Sequence, residues 1–362
     1  MKIAILYGGR SGEHEVSLAS AASVVHNLKA NHKVTLIGIT KAGSWRLQPD
    51  SVAEAAQNGS AALELKESGP EVLVAPGDGL RVHGIHGQSR LSIEIVFPVL
   101  HGTFGEDGTV QGLLECAGLP YVGADVEGSA LGMDKEAAKN LWRLAGIPVV
   151  PSLTVDSSDY ASSEALKNQA EAAFGWPMFI KPSRTGSSVG TSRVASPAGW
   201  EAAIKEALSF DTVAIVEPFI QAREIECSVI GNESPRAFEP GEVAPTHEFY
   251  DYEAKYIDPD GARLIIPAPI DADVRTGIKD LAIRAYKTLG LQGMARVDLF
   301  LDKSNGSVYV NEVNTIPGFT SISMFPKMCE ADGLAYPELL DELIALGMAR
   351  HTKRNNLKYE RS

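Results

Sequence analysis

A chain of 362 residues, 44% hydrophobic and 22% charged, is long enough to bury more than one globular core. Its formal net charge of -13 excludes broad nucleic-acid or anionic-membrane binding, which needs a Lys/Arg excess to displace counterions. No apolar segment approaches the roughly 20 residues needed to span a bilayer. Cys116, Cys227 and Cys329 stand far apart without a CxxC pair, so neither a disulfide framework nor a zinc site is indicated.

The opening run "KIAILY" is too short for a secretory core, which leaves a cytoplasmic protein as the expectation. It predicts a buried strand over residues 2–7, followed by the loop "GGRSGEHEVS" and a helix over "LASAASVVHNL". "HKVTLIGIT" predicts the next strand, so the chain opens as a parallel α/β unit with a ligand loop at the carboxyl end of its first strand. That loop lacks GxGxxG, which weakens a dinucleotide reading. Glu13 and Glu15 near the helix start either complement the macrodipole or place a carboxylate on a substrate ammonium group. Residues 41–90 are weakly patterned apart from the turn "APGDGL" and carry no functional assignment. "IEIVFPVLHG" predicts a further buried strand ending at His101, which sits on the glycine-rich loop "HGTFGEDG" as a structural or a site histidine.

"GSALGMDKEAAKNLWRLAGIPVVP" predicts one helix joining two domains, with Ser129 as N-cap, Gly146 as C-cap and Pro148 beyond. "MFIKPSRTGSSVGTSRV" predicts a hairpin. At its tip Gly186 and Gly190 admit phosphate oxygens to backbone N–H groups, Ser187 and Ser188 add hydroxyls, and Lys181 supplies a point charge. GxxxxGK[ST] is absent, so this is a hairpin closing over phosphates or an ordinary surface turn, not a P-loop. Two strands broken at Pro218, a long polar and aromatic loop "THEFYDYEAKYIDPDG", and the helix "VRTGIKDLAIRAYKTLG" follow.

The strands "MARVDLFLD" and "SVYVNEVNT" come next. Alternation puts Glu312 and Asn314 on one face; if the strands pair as a hairpin, Asp298 joins them. Three oxygen donors of this kind suit Mg²⁺ held jointly with nucleotide phosphates; a solvated strand face is the plain alternative. Arg296, two before Asp298, shares its side and suits a developing oxyanion. A helix over "LAYPELLDELIALGMAR" and a frayed polar tail close the chain.

The series "GGRSGEHEVS", "HGTFGEDGTVQGLLE", "MDKEAAK", "KPSRTGSSVG", "EFYDYEAKY", "ARVDLF" and "NEVNTIPGFTSIS" closely resembles the D-alanine–D-alanine ligases, in order, from Lys2 to about Met348. The resemblance implies an α/β and α+β chain. Its ATP-grasp fold would follow an N-terminal Rossmann-like (pre-ATP-grasp) domain. The units would be 1–128 (with an insertion at 41–90), 129–216 and 217–349, then a polar tail at 350–362. It implies ATP with Lys139 and Lys181 near its phosphates, Glu217 and Ile220 at the adenine hinge, Glu224 on the ribose, and Phe249 and Lys255 also contacting the nucleotide. Asp298, Glu312 and Asn314 would hold two Mg²⁺, with Mn²⁺ as an alternative. The carboxylate of a first D-alanine would become an acyl phosphate, which the amine of a second D-alanine attacks, as peptidoglycan precursor synthesis requires. Glu13 would bind the first ammonium group with His101 close by; Arg296 and the Gly318 N–H would stabilise the oxyanion; Ser323 and Met324 would meet the second substrate. Tyr256 would link through hydrogen bonds to Ser187 and Glu13, the pattern of members that make a dipeptide. A homodimer is also implied. Pro218 stands where many relatives have lysine, which leaves adenine contacts there to the backbone; Ala222 replaces a common glycine, which leaves the Glu224 assignment intact but puts its approach in doubt. Another ATP-grasp carboxylate–amine ligase would lack "EHEVS" and "YDYEAKY"; a nucleotide-binding module without catalysis would not need the set Asp298, Glu312, Asn314 and Arg296.

Overall fold

The computed structural model describes residues 1–84, 87–245 and 262–358, and its strands form three sheets. β1 (Lys2–Gly8) is buried at every position after Lys2, as a continuous apolar run must be when both faces are covered. After it come α1 (His14–Asn27), β2 (Lys33–Ile39), β3 (Trp45–Leu47), α2 (Asp50–Gln57), β4 (Glu71–Ala75), β5 (Gly79–Gly84), β6 (Gly87–Arg90), β7 (Ile95–Pro98) and α3 (Thr109–Cys116). β1 lies between β2 and β7, parallel to both, so the predicted parallel α/β opening is present. The stretch expected as an insertion extends this sheet: β3 to β6 continue it antiparallel beyond β2, in the order β6-β5-β4-β3-β2-β1-β7. These strands are three to six residues long and lie at an edge, which leaves little periodicity to read.

The helix predicted as one is two, α4 (Val126–Met133) and α5 (Lys135–Leu144). Asp134 breaks it: its Oδ1 accepts from the backbone N–H groups of Glu136 and Ala137 at 3.1 Å each and caps α5. Asp125, not Ser129, caps α4, and Ser129 is buried inside that helix. Gly146 does adopt the left-handed conformation expected past a helix end, at φ 66°.

The second sheet, in the order β10-β9-β11-β8, is built from β8 (Leu153–Asp156), β9 (Met178–Pro182), β10 (Ser192–Val194) and β11 (Val213–Pro218), with α6 (Ser163–Phe174) and α7 (Trp200–Phe210). Ile180, Ile204 and Val216 centre its core. β9 and β10 form the predicted hairpin, and β11 ends at Pro218 as expected.

β12 (Ala222–Ile230), β13 (Arg236–Ala237), β14 (Gly241–Pro245), β15 (Ala262–Ile265), β16 (Met294–Asp302) and β17 (Val308–Asn314) make the third sheet, covered by α8 (Ala272–Thr288). On β16 Ala295, Val297, Leu299 and Leu301 are buried on one face while Arg296, Asp298 and Phe300 are half-buried on the other. That alternation decides which side becomes the site. α9 (Met324–Ala331) and α10 (Tyr336–Asn355) follow. α10 runs past the expected start of the tail at 350, because Arg350 donates to the carbonyls of Tyr121 and Gly123 and Arg354 pairs with Glu115.

Phe319 joins the first and third units. Its ring meets Phe97 at 5.9 Å, Phe325 at 5.5 Å and Tyr336 at 6.3 Å, and it is fully buried. Truncating it to alanine costs about 3–5 kcal/mol in cavity and lost burial, and would release the turn after β17. No helix among the described residues is long and apolar enough to cross a membrane.

Candidate active site

The loops that leave the first unit, the β9–β10 hairpin and the open face of the third sheet surround one cleft of about 1540 Å³. β16 and β17 pair so that Asp298 lies opposite Glu312 and Arg296 opposite Asn314, which brings the predicted metal residues together beside the predicted arginine. Asp298 accepts from Arg296 Nε and Nη2 at 2.7 Å each and from Asn314 Nδ2 at 2.9 Å. Lys135 Nζ stands 3.4 Å from Glu312 Oε2. Both carboxylates are thus paired with protein cations in a partly buried setting, and a divalent cation binding here would compete with those cations for the same oxygens. Among the described residues no group of three or more His, Cys, Asp or Glu forms a metal cage. Two carboxylates and a carboxamide fit Mg²⁺ that takes its remaining ligands from water and phosphate oxygens.

Simple alternation misses one neighbour of this set. The register shifts between Asp298 and Leu299, which pairs with Val310 and leaves Asn311 as an extra residue. This bulge lets Asn311 and Glu312 both line the cleft, while Val310 and Val313, three apart, are both buried. Lys181 Nζ donates to Asn311 Oδ1 at 3.3 Å.

Glu217 accepts two lysines, Lys139 Nζ at 2.7 Å and Lys181 Nζ at 2.9 Å. Burial alone would raise its carboxyl, but the adjoining Lys181 and Lys139 ammonium groups outweigh it and hold it down at about 2. Lys139 is pulled down to about 8 by its own burial against the pull of Glu217. Lys181 lines the cleft as expected; Lys139 does not, being fully buried and donating also to the Val150 carbonyl at 3.3 Å. The lysine that does line the cleft beside Lys181 is Lys135, whose Nζ donates to the Thr185 carbonyl at 2.6 Å. Its signal was present in "MDKEAAK": Asp134 as N-cap sets Lys135 at the first helical position, a turn before the buried Lys139.

Ser187 Oγ donates to Glu13 Oε1 at 2.5 Å, joining two of the predicted residues. His101 is buried, with Nδ1 3.0 Å from the Ile316 carbonyl and Nε2 3.1 Å from Ser20 Oγ. Burial lowers its pKa against the opposing pull of Glu13, so the ring is neutral at pH 7; Nδ1–H donates to the carbonyl and Nε2 accepts from Ser20. It braces the turn after β17. Glu106, absent from the predicted set although it lies within "HGTFGEDG", does the same: it accepts from the Gly102 N–H at 2.8 Å and from the Ile316 N–H at 3.5 Å.

At the far end of that turn, Ser323 precedes α9 and its Oγ accepts from the Thr320 N–H at 2.9 Å. Gly318, Ser323 and Met324 all line the cleft, as do Ile220 and Glu224 at the opposite end. Met324 packs with Val243 and Met328. The carboxylate of Glu217, expected at the hinge, is occupied by the two lysines. Phe249, Lys255 and Tyr256 lie outside the described residues.

A family model for the D-Ala–D-Ala ligase N-terminus matches residues 2–124, and one for the C-terminus matches residues 141–345. The chain is 48% identical over 363 residues to a D-alanine–D-alanine ligase of Treponema denticola, covering 99% of each. It is 42% identical to D-alanine–D-alanine ligase A of Escherichia coli, covering 99% of this chain and 98% of the other. Among solved structures, the D-alanine–D-alanine ligase of Coxiella burnetii superposes with a TM-score of 0.84 at 38% identity, over 98% of this chain and 96% of that one. A D-Ala:D-Ser ligase of Enterococcus faecalis gives 0.82 at 38%, over 96% and 99%. With both halves matched and the likeness spanning the whole cleft, the chain belongs to the D-alanine–D-alanine ligase family.

Proposed function

We propose that the protein uses ATP to join two D-alanine molecules into D-alanyl-D-alanine through an acyl phosphate, supplying the dipeptide for peptidoglycan precursor synthesis. The observation that carries this reading is a single cleft holding both the Asp298, Glu312, Asn314 and Arg296 set and the Glu13–Ser187 link. A carboxylate is a poor acylating agent, so it must first accept a phosphoryl group, and charge neutralisation with positioning supplies most of that catalysis.

In this reading Asp298, Glu312 and Asn314 hold two Mg²⁺, or Mn²⁺ in its place, and these ions offset phosphate charge when bound. Lys135 and Lys181 reach the phosphates, while Ile220 and the backbone of Glu217 meet the adenine, Glu224 the ribose, and Phe249 and Lys255 the nucleotide. Glu13 takes the ammonium group of the first D-alanine, aligned by Ser187 and by His101 through the turn it braces. Arg296 and the Gly318 N–H receive the charge that develops when the second amine attacks, and Ser323 at the start of α9 holds the second carboxylate beside Met324. Tyr256 closes over the intermediate, which hydrolyses if water enters. The units are 1–128, 129–216 and 217–349, and the protein works in the cytoplasm as a homodimer.

The test is ADP release that requires both D-alanine and a divalent cation. Asp298→Asn should abolish nearly all of it while the chain stays folded by circular dichroism. Turnover retained in that variant would remove the metal assignment, and ADP release indifferent to D-alanine would remove the substrate.

A further inference from the structure

We propose that Glu226 is a positioning residue that holds Arg296 toward the reacting groups once Asp298 has taken a divalent cation; the inference rests on the ligase reading above.

Arg296 lies between two carboxylates. Its fork meets Asp298 at 2.7 Å twice, and its Nε also stands 3.2 Å from Glu226 Oε2. The sheet places the three acids in one row, because Glu226 on β12 pairs with Asp298, and Asp298 pairs with Glu312 on β17. All three line the same cleft. The Glu226 side chain is only 13% exposed, and a carboxylate so desolvated needs a cation beside it.

The bidentate pair with Asp298 competes with metal. A cation on those oxygens neutralises the carboxylate that the guanidinium depends on and repels the guanidinium itself. Without another anion Arg296 would leave the position from which it can meet an oxyanion. Glu226 supplies that anion on the side of Asp298 away from Glu312. Two strand spacings, about 10 Å, separate its backbone from that of Glu312, and Arg296 Nε stands beside it. With its Nε held by Glu226, the guanidinium stays in the cleft beside the site where charge develops. A purely structural role is not what the geometry offers, since the β12–β16 ladder is formed by the backbone throughout residues 222–230.

The experiment compares the full chain with Glu226→Gln and Glu226→Asp. Glu226→Gln should lower kcat ~10- to 100-fold, leave the KM for ATP unchanged, and leave the calorimetric Mg²⁺ affinity of the ADP-bound protein within about 2-fold of the unaltered chain. Binding of a phosphinate analogue of the dipeptide in the presence of ADP should weaken in step with kcat, and Glu226→Asp should restore part of both. An unchanged kcat, a drop in Mg²⁺ affinity that matches the drop in kcat, or a lowered melting temperature without rescue by aspartate would each overturn the proposal. If the unaltered chain shows no D-alanine-dependent turnover, the ligase reading falls first and takes this one with it.

Discussion

Ser187 Oγ and Glu13 Oε1 meet at 2.5 Å across 174 residues of sequence, tying the loop that follows β1 to the loop that follows β9. Ser187 and Ser188 hold φ values of 52° and 58°, a left-handed conformation that costs of order 1 kcal/mol each and persists only where the surroundings impose it. A Cβ at Gly102 would stand 2.8 Å from Glu13 Oε2 and one at Gly186 3.3 Å, so the carboxylate fits because both positions lack one. In the proposed function this contact would couple closure of the β9–β10 loop over phosphates to occupancy of the ammonium site at Glu13. Ser187→Ala should therefore reduce kcat/KM for the first D-alanine by ~10- to 100-fold, the worth of a hydrogen bond to a charged group, with an unchanged melting temperature. Steady-state kinetics that leave this ratio intact would show the contact to be incidental.

The two lysines of α5 separate fold from function. Lys139 is buried against Glu217 and shares it with Lys181. Lys139→Met should lower stability by about 3 kcal/mol and barely move the KM for ATP. The Glu217 carboxyl is held at about 2 against an ordinary 4.5, so its stabilising share is complete above pH 4.5 and is lost as the pH falls toward 2. Acid unfolding of Lys139→Met should accordingly begin at higher pH. Lys135→Met should do the reverse, raising the KM for ATP ~10-fold with little change in stability. Denaturation and initial-rate measurements on both variants check the assignment, and exchanged phenotypes would reverse it.

Much of this arrangement is legible in the amino-acid sequence. The strand "MARVDLFLD" keeps a period of two throughout, Glu312 and Asn314 keep it in "SVYVNEVNT", and the two strands close as the hairpin that alternation demands. What escaped were features set by tertiary context. The bulge at Asn311 shifts the phase of β17 by one residue, and no local pattern marks where a register shifts. Asp134 ends one helix and caps the next within a run that is continuously helical by composition, so Lys135 and Lys139 read as equivalent although one reaches the cleft and the other is sealed from it. Glu226 reads as one polar residue of a strand until the third strand of the row is in place.

Glu106 makes the first unit sensitive to pH. Burial, reinforced by the nearby Glu13, pushes its carboxyl from an ordinary 4.5 up to about 8. Between those values the folded chain holds a proton that the unfolded chain releases. Its contribution to stability is therefore full below pH 4.5 and declines as the pH rises to about 8. Glu106→Gln cannot titrate, so its melting temperature should fall less than that of the unaltered chain from pH 5 to pH 8.5. Parallel melting curves across that range would show that Glu106 ionises like an ordinary glutamate.

In the proposed function Gly318 lies at the acceptor end of the cleft. A Cβ there would come within 2.7 Å of Ser323 Oγ, which is already fixed by the Thr320 N–H at 2.9 Å and the Thr320 hydroxyl at 2.8 Å. Either Ser323 moves away from the start of α9 or the 318 N–H turns from the cleft. Gly318→Ala should raise the KM for the acceptor D-alanine by at least ~10-fold and leave that for ATP unchanged. Ser323→Ala should raise the same constant, and the double variant should fall short of the sum, because both act on one hydroxyl. Running the unaltered chain with D-alanine, D-serine and D-lactate as competing acceptors extends the test to specificity, since one structural relative is a D-Ala:D-Ser ligase. D-alanine should be preferred; a preference for D-lactate would place an ester rather than a dipeptide at the end of this reaction. A preference for D-serine would mean that the pocket behind Ser323 and Met324 admits a hydroxymethyl side chain.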